Sequence, residues 1–128
     1  MVAERTGEQG ELWPSVTEID KLKTRELLED YMKNKQMVMA FSQKDRLPDQ
    51  MRNVYETKKE EIENIELAFN LIQDPAVKKI VENRFFKLRK WKETVKYHSG
   101  GYSERTVDRY IDKGVEAIAD SLKLWGCL

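Results

Sequence analysis

The chain has 128 residues, room for one domain or for one small domain with a helical extension. Charged residues make up 36% and apolar residues 40%, polar for a globular protein but too apolar for a disordered chain. The formal net charge of zero hides an asymmetry: residues 1–74 carry 11 basic and 16 acidic side chains, and residues 75–128 carry 12 basic and 7 acidic. An acidic half joined to a basic half points to a polyanionic partner for the second half only. Cys127 is the sole cysteine and His98 the sole histidine, which excludes an internal disulfide and a zinc-ligand cluster. No cofactor is expected, and an intracellular, cytoplasmic setting is. No apolar run approaches the roughly 20 residues of a membrane span, so no membrane partner is expected. Met1 to Gly10 shows no secretory apolar region, and Trp125-Gly126-Cys127-Leu128 is not a prenylation box.

In chain order, residues 1–14 read as a disordered tail. Ser15-Val16-Thr17-Glu18 has capping-box spacing and predicts a helix carrying Ile19, Leu22, Leu27, Tyr31, Val38 and Phe41 as a broad apolar stripe to about Gln43. Asp45-Arg46-Leu47-Pro48 is a turn, with Pro48 suited to a first helical turn. In the next helix Met51, Tyr55, Lys58, Ile62, Ile65, Phe69 and Ile72 alternate spacings of four and three, a heptad seam broken only by Lys58. Residues 15–73 are therefore expected to form a long helical hairpin or to recruit a second subunit. Met51, Tyr55, Ile62, Ile65 and Phe69 are the candidate homodimer or partner surface.

Asp74-Pro75 caps and opens a helix with Val77, Ile80, Val81, Phe85 and Leu88 on one face and Lys78, Lys79, Arg84, Lys87, Arg89 and Lys90 on much of the rest. A short helix over Trp91–Tyr97 and a turn at His98-Ser99-Gly100-Gly101 follow, two glycines favouring the break. The last helix starts at Ser103 and faces a core through Val107, Ile111, Val115, Ile118 and Leu122. No alternating run reads as a strand, so the fold class is all-α. Residues 74–128 are expected to form a three-helix helix-turn-helix domain.

That arrangement has a chemical logic. The N-terminal turn of a recognition helix presents hydrogen-bonding side chains to base edges, and its free amides favour a phosphate oxygen. Tyr102, Ser103, Glu104, Arg105, Thr106 and Arg109 occupy that turn, and Lys87 and Lys90 would add phosphate contacts. Plainer roles are open to several of them. Ser103 serves as an N-cap in any case, Arg105 and Arg109 could pair with Glu104 or Asp112, Tyr102 and Trp91 could be core, and His98 could be an exposed turn residue. No phosphate-binding glycine loop, His-Glu metal motif or nucleophile elbow is present, and Glu60, Glu61, Glu63 and Glu66 read as a solvated face. The chain is not expected to be an enzyme.

Asp74-Pro75 through Ile80, Asn83-Arg84-Phe85-Phe86, Lys90-Trp91, Tyr102-Ser103-Glu104-Arg105-Thr106-Val107 and Arg109 together resemble the ArpU-type phage transcriptional regulators, relatives of the RinA-type late-gene activators. The resemblance implies a C-terminal part like region 4 of sigma factors and double-stranded DNA as partner. It also implies control of late genes of a phage or prophage in a bacterial host, with RNA polymerase as a further partner. It points to Ser103, Glu104, Arg105, Thr106 and Arg109 as DNA contacts. Where the family has an Ile-Ala pair after the tryptophan, this chain has Thr94-Val95, and its turn through Ser99-Gly100-Gly101 is longer. Two other readings use the same elements: a DNA-packaging protein of the small-terminase kind, and a helical interaction module without DNA binding.

Overall fold

A computed structural model of the chain describes residues 15–87 and 90–128. The expected tail at 1–14, and Leu88 and Arg89 of the expected basic helix, lie outside the described residues. The described residues are helical without a strand: α1 (Glu18–Glu29), α2 (Tyr31–Ser42), α3 (Asp49–Asn70), α4 (Pro75–Val81), α5 (Trp91–Tyr97) and α6 (Glu104–Leu124), with a π-helical turn at Glu82–Phe86 continuing α4. The fold is all-α, as the absence of alternating runs predicts.

The first helix differs from the expectation in three ways. Its capping box is formed by Thr17 and Asp20, two residues after the expected Ser15 and Glu18. The Asp20 amide donates to Thr17 Oγ1 at 3.1 Å, and Asp20 Oδ2 accepts from the Thr17 amide at 2.9 Å. Both pairs have the right spacing, but the Asp20 carboxylate is also held by Lys123 Nζ at 2.6 Å, which fixes the register at Thr17. The helix also breaks at Asp30, whose ψ is −3°. A poor helix former at that point lets the chain change direction, so that α1 lies on α6 while α2 lies on α3. Finally, α1 buries Thr24 and Leu28 and leaves Ile19 and Leu22 exposed by 64% and 62%, so the apolar stripe does not mark its inner face. The Thr24 hydroxyl donates back to the Asp20 carbonyl at 2.8 Å, which lets a polar residue sit fully buried there.

The most central element is α6, which touches α1, α3, α4 and α5. Val107, Ile111, Val115, Ile118 and Leu122 are all buried, as their spacing predicts. Gly114 adds what the spacing did not show. A Cβ built on it would lie 2.1 Å from Val81 Cγ2 and 3.3 Å from Val77 Cγ1. The absence of a side chain is therefore what lets α4 and α6 cross so closely. The helix ends in a Schellman motif: Gly126 has φ +77°, the Cys127 amide donates to the Leu122 carbonyl at 2.7 Å, and the Gly126 amide donates to the Lys123 carbonyl at 3.1 Å.

The apolar core is continuous across Asp74. Leu28, Tyr31, Ile62, Ile65, Ala68 and Ile72 pack in one cluster with Val77, Ile80, Val81 and Phe85 and with the inner face of α6. Ile62 and Ile65, expected on a partner surface, are buried in the chain's own core at 6% and 2% exposure. Phe69 also faces inward, stacked on Phe86 at 4.5 Å, and Phe86 stacks in turn on Tyr31 at 4.4 Å. The heptad seam of α3 is satisfied within the chain over its second half. Met51 and Tyr55 in the first half remain half-buried.

Candidate nucleic-acid interface

The start of α6 is set by local hydrogen bonding. Ser103 is its N-cap, with Oγ accepting from the Thr106 amide at 3.2 Å and donating to Thr106 Oγ1 at 2.9 Å. The Ser103 and Thr106 hydroxyls are thus turned toward each other. Glu104, Arg105 and Arg109 are exposed. Arg105, Arg109 and Lys113 recur every four residues and lie opposite the buried face of the helix. Among the described residues none of the three pairs with a carboxylate. Arg109 and Lys113 instead sit over the Tyr110 ring at 5.6 and 5.8 Å.

Asp112, which with Glu104 was an alternative partner for Arg105 and Arg109, is engaged elsewhere. Lys21 Nζ lies 3.1 Å and Arg25 3.8 Å from its carboxylate. The Asp112 hydrogen bond raises the pKa of Lys21 above the ordinary lysine value, against the opposing effect of burial. The alternative pairing of Arg105 or Arg109 with Glu104 or Asp112 does not form.

The other basic residues divide into two sets. Arg84 reaches Glu29 at 3.3 Å and lies over the Phe85 ring, Lys79 reaches Glu82 at 3.5 Å, and Lys78 donates to the Asn70 carbonyl and covers Phe69. These three, expected on a free basic face, stabilise the fold instead. Lys87, Lys90, Lys92 and Lys96 are exposed, and none pairs with a carboxylate among the described residues. Glu93, the nearest acid in sequence, accepts from the Lys90 amide at 2.8 Å and so caps α5. Lys87, Lys90, Arg105 and Arg109 are sequence-predicted contacts that remain available. Lys92, Lys96 and Lys113 join them, and the four-residue spacing of Lys113 from Arg109 was the signal for the last.

The six residues from His98 to Ser103 join α5 to α6. The Tyr102 amide donates to the His98 carbonyl at 2.9 Å, and the Gly101 amide donates to the same oxygen at 3.1 Å. His98 is half-buried rather than the exposed residue expected, because Nε2 lies 2.8 Å from Nδ2 of the fully buried Asn83. Asn83 belongs to the π-helical turn, where the Lys87 amide donates five residues back to the Glu82 carbonyl at 2.9 Å. Tyr102 packs against the core, edge-on to Tyr110 at 5.7 Å and to His98 at 6.2 Å. Its ring supports the turn, the core role that the sequence left open to it. Thr94, where the ArpU-type pattern has isoleucine, is fully buried and donates to the Lys90 carbonyl at 3.0 Å, while Val95 packs on the core.

A second ionic cluster lies away from this surface. Lys35 Nζ is 2.7 Å from Glu66 Oε2 and 3.1 Å from the Tyr31 hydroxyl, which itself donates to Glu66. Burial pushes Glu66 up, but the hydrogen bonds from Lys35 and Tyr31 outweigh it and hold the carboxyl below its ordinary value. Burial, followed by the Glu66 contact, raises Tyr31. This triad ties α2 to α3. Among the described residues no group of three or more His, Cys, Asp or Glu side chains is placed to hold a metal, and no helix is long and apolar enough to cross a membrane. Comparison with known protein families, with curated proteins and with solved structures gives no match for this chain.

Proposed function

We propose that this chain is a sequence-specific DNA-binding regulator of transcription, acting on late genes of a phage or prophage in the cytoplasm of a bacterial host. In this reading α5 and α6 are the two helices of a helix-turn-helix, and α6 enters the major groove by its N-terminal turn. One observation carries it. Arg105 and Arg109, one turn apart on the outer face of a Ser103-capped helix, have no carboxylate partner among the described residues, while Lys21, Arg25, Lys79, Arg84 and Lys123 each have one. Unpaired guanidinium groups at that position fit the two acceptors of a guanine edge or a phosphate. Lys87, Lys90, Lys92 and Lys96 then supply backbone contacts, and the α2–α3 hairpin remains for self-association or for RNA polymerase. The link of six residues is longer than the usual three or four of this motif. The reading accommodates it because Asn83, Tyr102 and Tyr110 brace the link against the domain.

Selection of bound fragments from a phage or host genome tests the proposal, and a site enriched upstream of late genes is the expected result. On that site Arg105→Ala should cost about 1–3 kcal/mol at one base position if Arg105 reads a guanine. An equal loss on random duplex would make it a phosphate contact. If most of the seven free bases meet phosphates, log Kobs should fall with log salt at a slope of about −5. Failure of any duplex to compete at moderate salt would sink the reading in favour of a protein-binding role. A large closed ring in light scattering would favour DNA packaging.

A further inference from the structure

The α2–α3 hairpin runs well beyond the core. From Lys35 to Glu61 not one residue is buried, although the segment carries Val38, Met39, Phe41, Met51, Val54 and Tyr55 among its apolar side chains. Tyr31, Asn34, Ile62 and Ile65, just inside these limits, are buried. The base of the arm still has support, since Val38 packs on the core cluster and Trp125, Gly126 and Cys127 lie beside Thr57, Glu60 and Glu61; its outer part extends past them. Within it α2 has only α3 to lie on, and two helices shield one side of each other's apolar surface and leave the other to water. Met39 is 56% and Val54 38% exposed. A second pair of helices laid across the arm completes a four-helix arrangement and removes these side chains from solvent.

We infer that the arm from Lys35 to Glu61 is a dimerisation surface and that its occupant is the same arm of a second copy of this chain. The charge pattern selects that occupant. The arm carries six basic and five acidic residues, and they interleave: Lys44, Asp45, Arg46, Asp49, Arg52, Glu56. Arg52 and Asp49 already pair at 3.2 Å. Such a surface offers no single-sign field to a polyanion or to a strongly basic peptide. Two antiparallel copies related by a two-fold axis set its opposite charges against one another and its apolar centre against itself. The inference stands independently of DNA binding, since it uses none of the residues at the start of α6.

The full-length chain tests it in sedimentation equilibrium or light scattering at tens of micromolar. Twice the chain mass of 15.1 kDa is expected. Met39→Glu with Val54→Glu places two carboxylates in the contact at positions that are exposed in the single chain. The pair should raise the dimer dissociation constant about a hundredfold or more, with far-UV circular dichroism and melting cooperativity retained. Leu67→Glu, at a residue 52% exposed on the other face of α3, is the control and should leave the mass at the dimer value. A monomeric wild type, a dimer that the arm substitutions leave intact, or dissociation by Leu67→Glu alone would each overturn the assignment. Arg105→Ala should remain dimeric, so loss of DNA binding and loss of association are read separately.

Discussion

Gly114→Ala inserts one methyl group at the tightest point of the fold. The new carbon would stand 2.1 Å from Val81 Cγ2, 3.3 Å from Val77 Cγ1 and 3.5 Å from Val81 Cβ. Comfortable carbon contacts are about 3.5–4.0 Å, so the first distance must open by more than an ångström. Val81 cannot swing away cheaply, because a helical valine is held near one χ1 rotamer and this one is wholly buried. The helices must part instead, loosening Ile80 and Val115 beside the crossing. Overpacking of this kind costs about 1–3 kcal/mol, and the rigid partner places it near the upper end. Alanine in place of glycine within a helix returns about 1 kcal/mol. The net expectation is a loss of about 2 kcal/mol, or about 8 °C in Tm for a chain of this length. Urea and thermal denaturation followed by circular dichroism measure it. Val81→Ala alone should cost about 2 kcal/mol by leaving a cavity. In the double variant the new methyl partly fills that cavity, so the two losses should fail to add by about 2 kcal/mol. Wild-type stability in Gly114→Ala within about 0.5 kcal/mol, the size of ordinary additivity errors, or strict additivity in the cycle, would refute the close-approach argument.

Gly100 and Gly101 should behave in the opposite way. Neither has a left-handed φ, and a Cβ on either meets nothing within 4 Å. Gly100→Ala with Gly101→Ala is expected to leave melting unchanged or to raise stability by about 0.4–1 kcal/mol for each residue through the unfolded chain; a marked loss would show that the link needs glycine after all. On the acid side, the Lys123 hydrogen bond holds Asp20 at about 2, below its ordinary 3.8. A depressed carboxylate contributes stability above its unfolded value and loses it as pH falls through 3.8 toward 2. Urea midpoints of wild type and Asp20→Asn should therefore differ at neutral pH and converge near pH 2. Curves that stay parallel over that range would remove Lys123 and Asp20 from the account.

What the sequence disclosed follows from the range of each interaction. The inner face of α6 was legible because five apolar residues at helical spacing have one way to be buried together. Asp74 at the cap of α4 and Ser103 at the cap of α6 were legible because capping is decided within four residues. The face of α1 was not, since Ile19 and Leu22 match the stripe expected of a helix that packs on α3, while α1 packs on α6. The capping box slid from Ser15 to Thr17 for a similar reason, a lysine 103 residues away. Gly114 carries no local sign of its role, because the partner that forbids a side chain stands 33 positions earlier in α4. At the candidate interface the basic residues were visible. Which of them stay free was not, because Glu29, Asp112 and Glu82 make that choice in three dimensions.

That sorting also explains how a chain of zero net charge keeps bases without carboxylate partners, among the described residues, around the start of α6. The acid excess of the first half is not spread evenly over the basic second half. Glu29 goes to Arg84 and Asp20 to Lys123, both of which anchor α1 to the later helices. In the reverse direction Asp112 takes Lys21 and Arg25, withdrawing a carboxylate from the outer face of α6. Among the described residues the exchange leaves seven bases from Lys87 to Lys113 without carboxylate partners, while Glu56, Glu60 and Glu63 stay exposed on α3. At physiological salt charge–charge effects decay over about 8 Å, so an anion arriving at the start of α6 meets Arg105 and Arg109 together with the exposed Glu104 and Asp108, and little of the distant acids. Neutrality overall and attraction at one site are therefore compatible. The pairing within the fold, rather than the composition, decides where an anion is received.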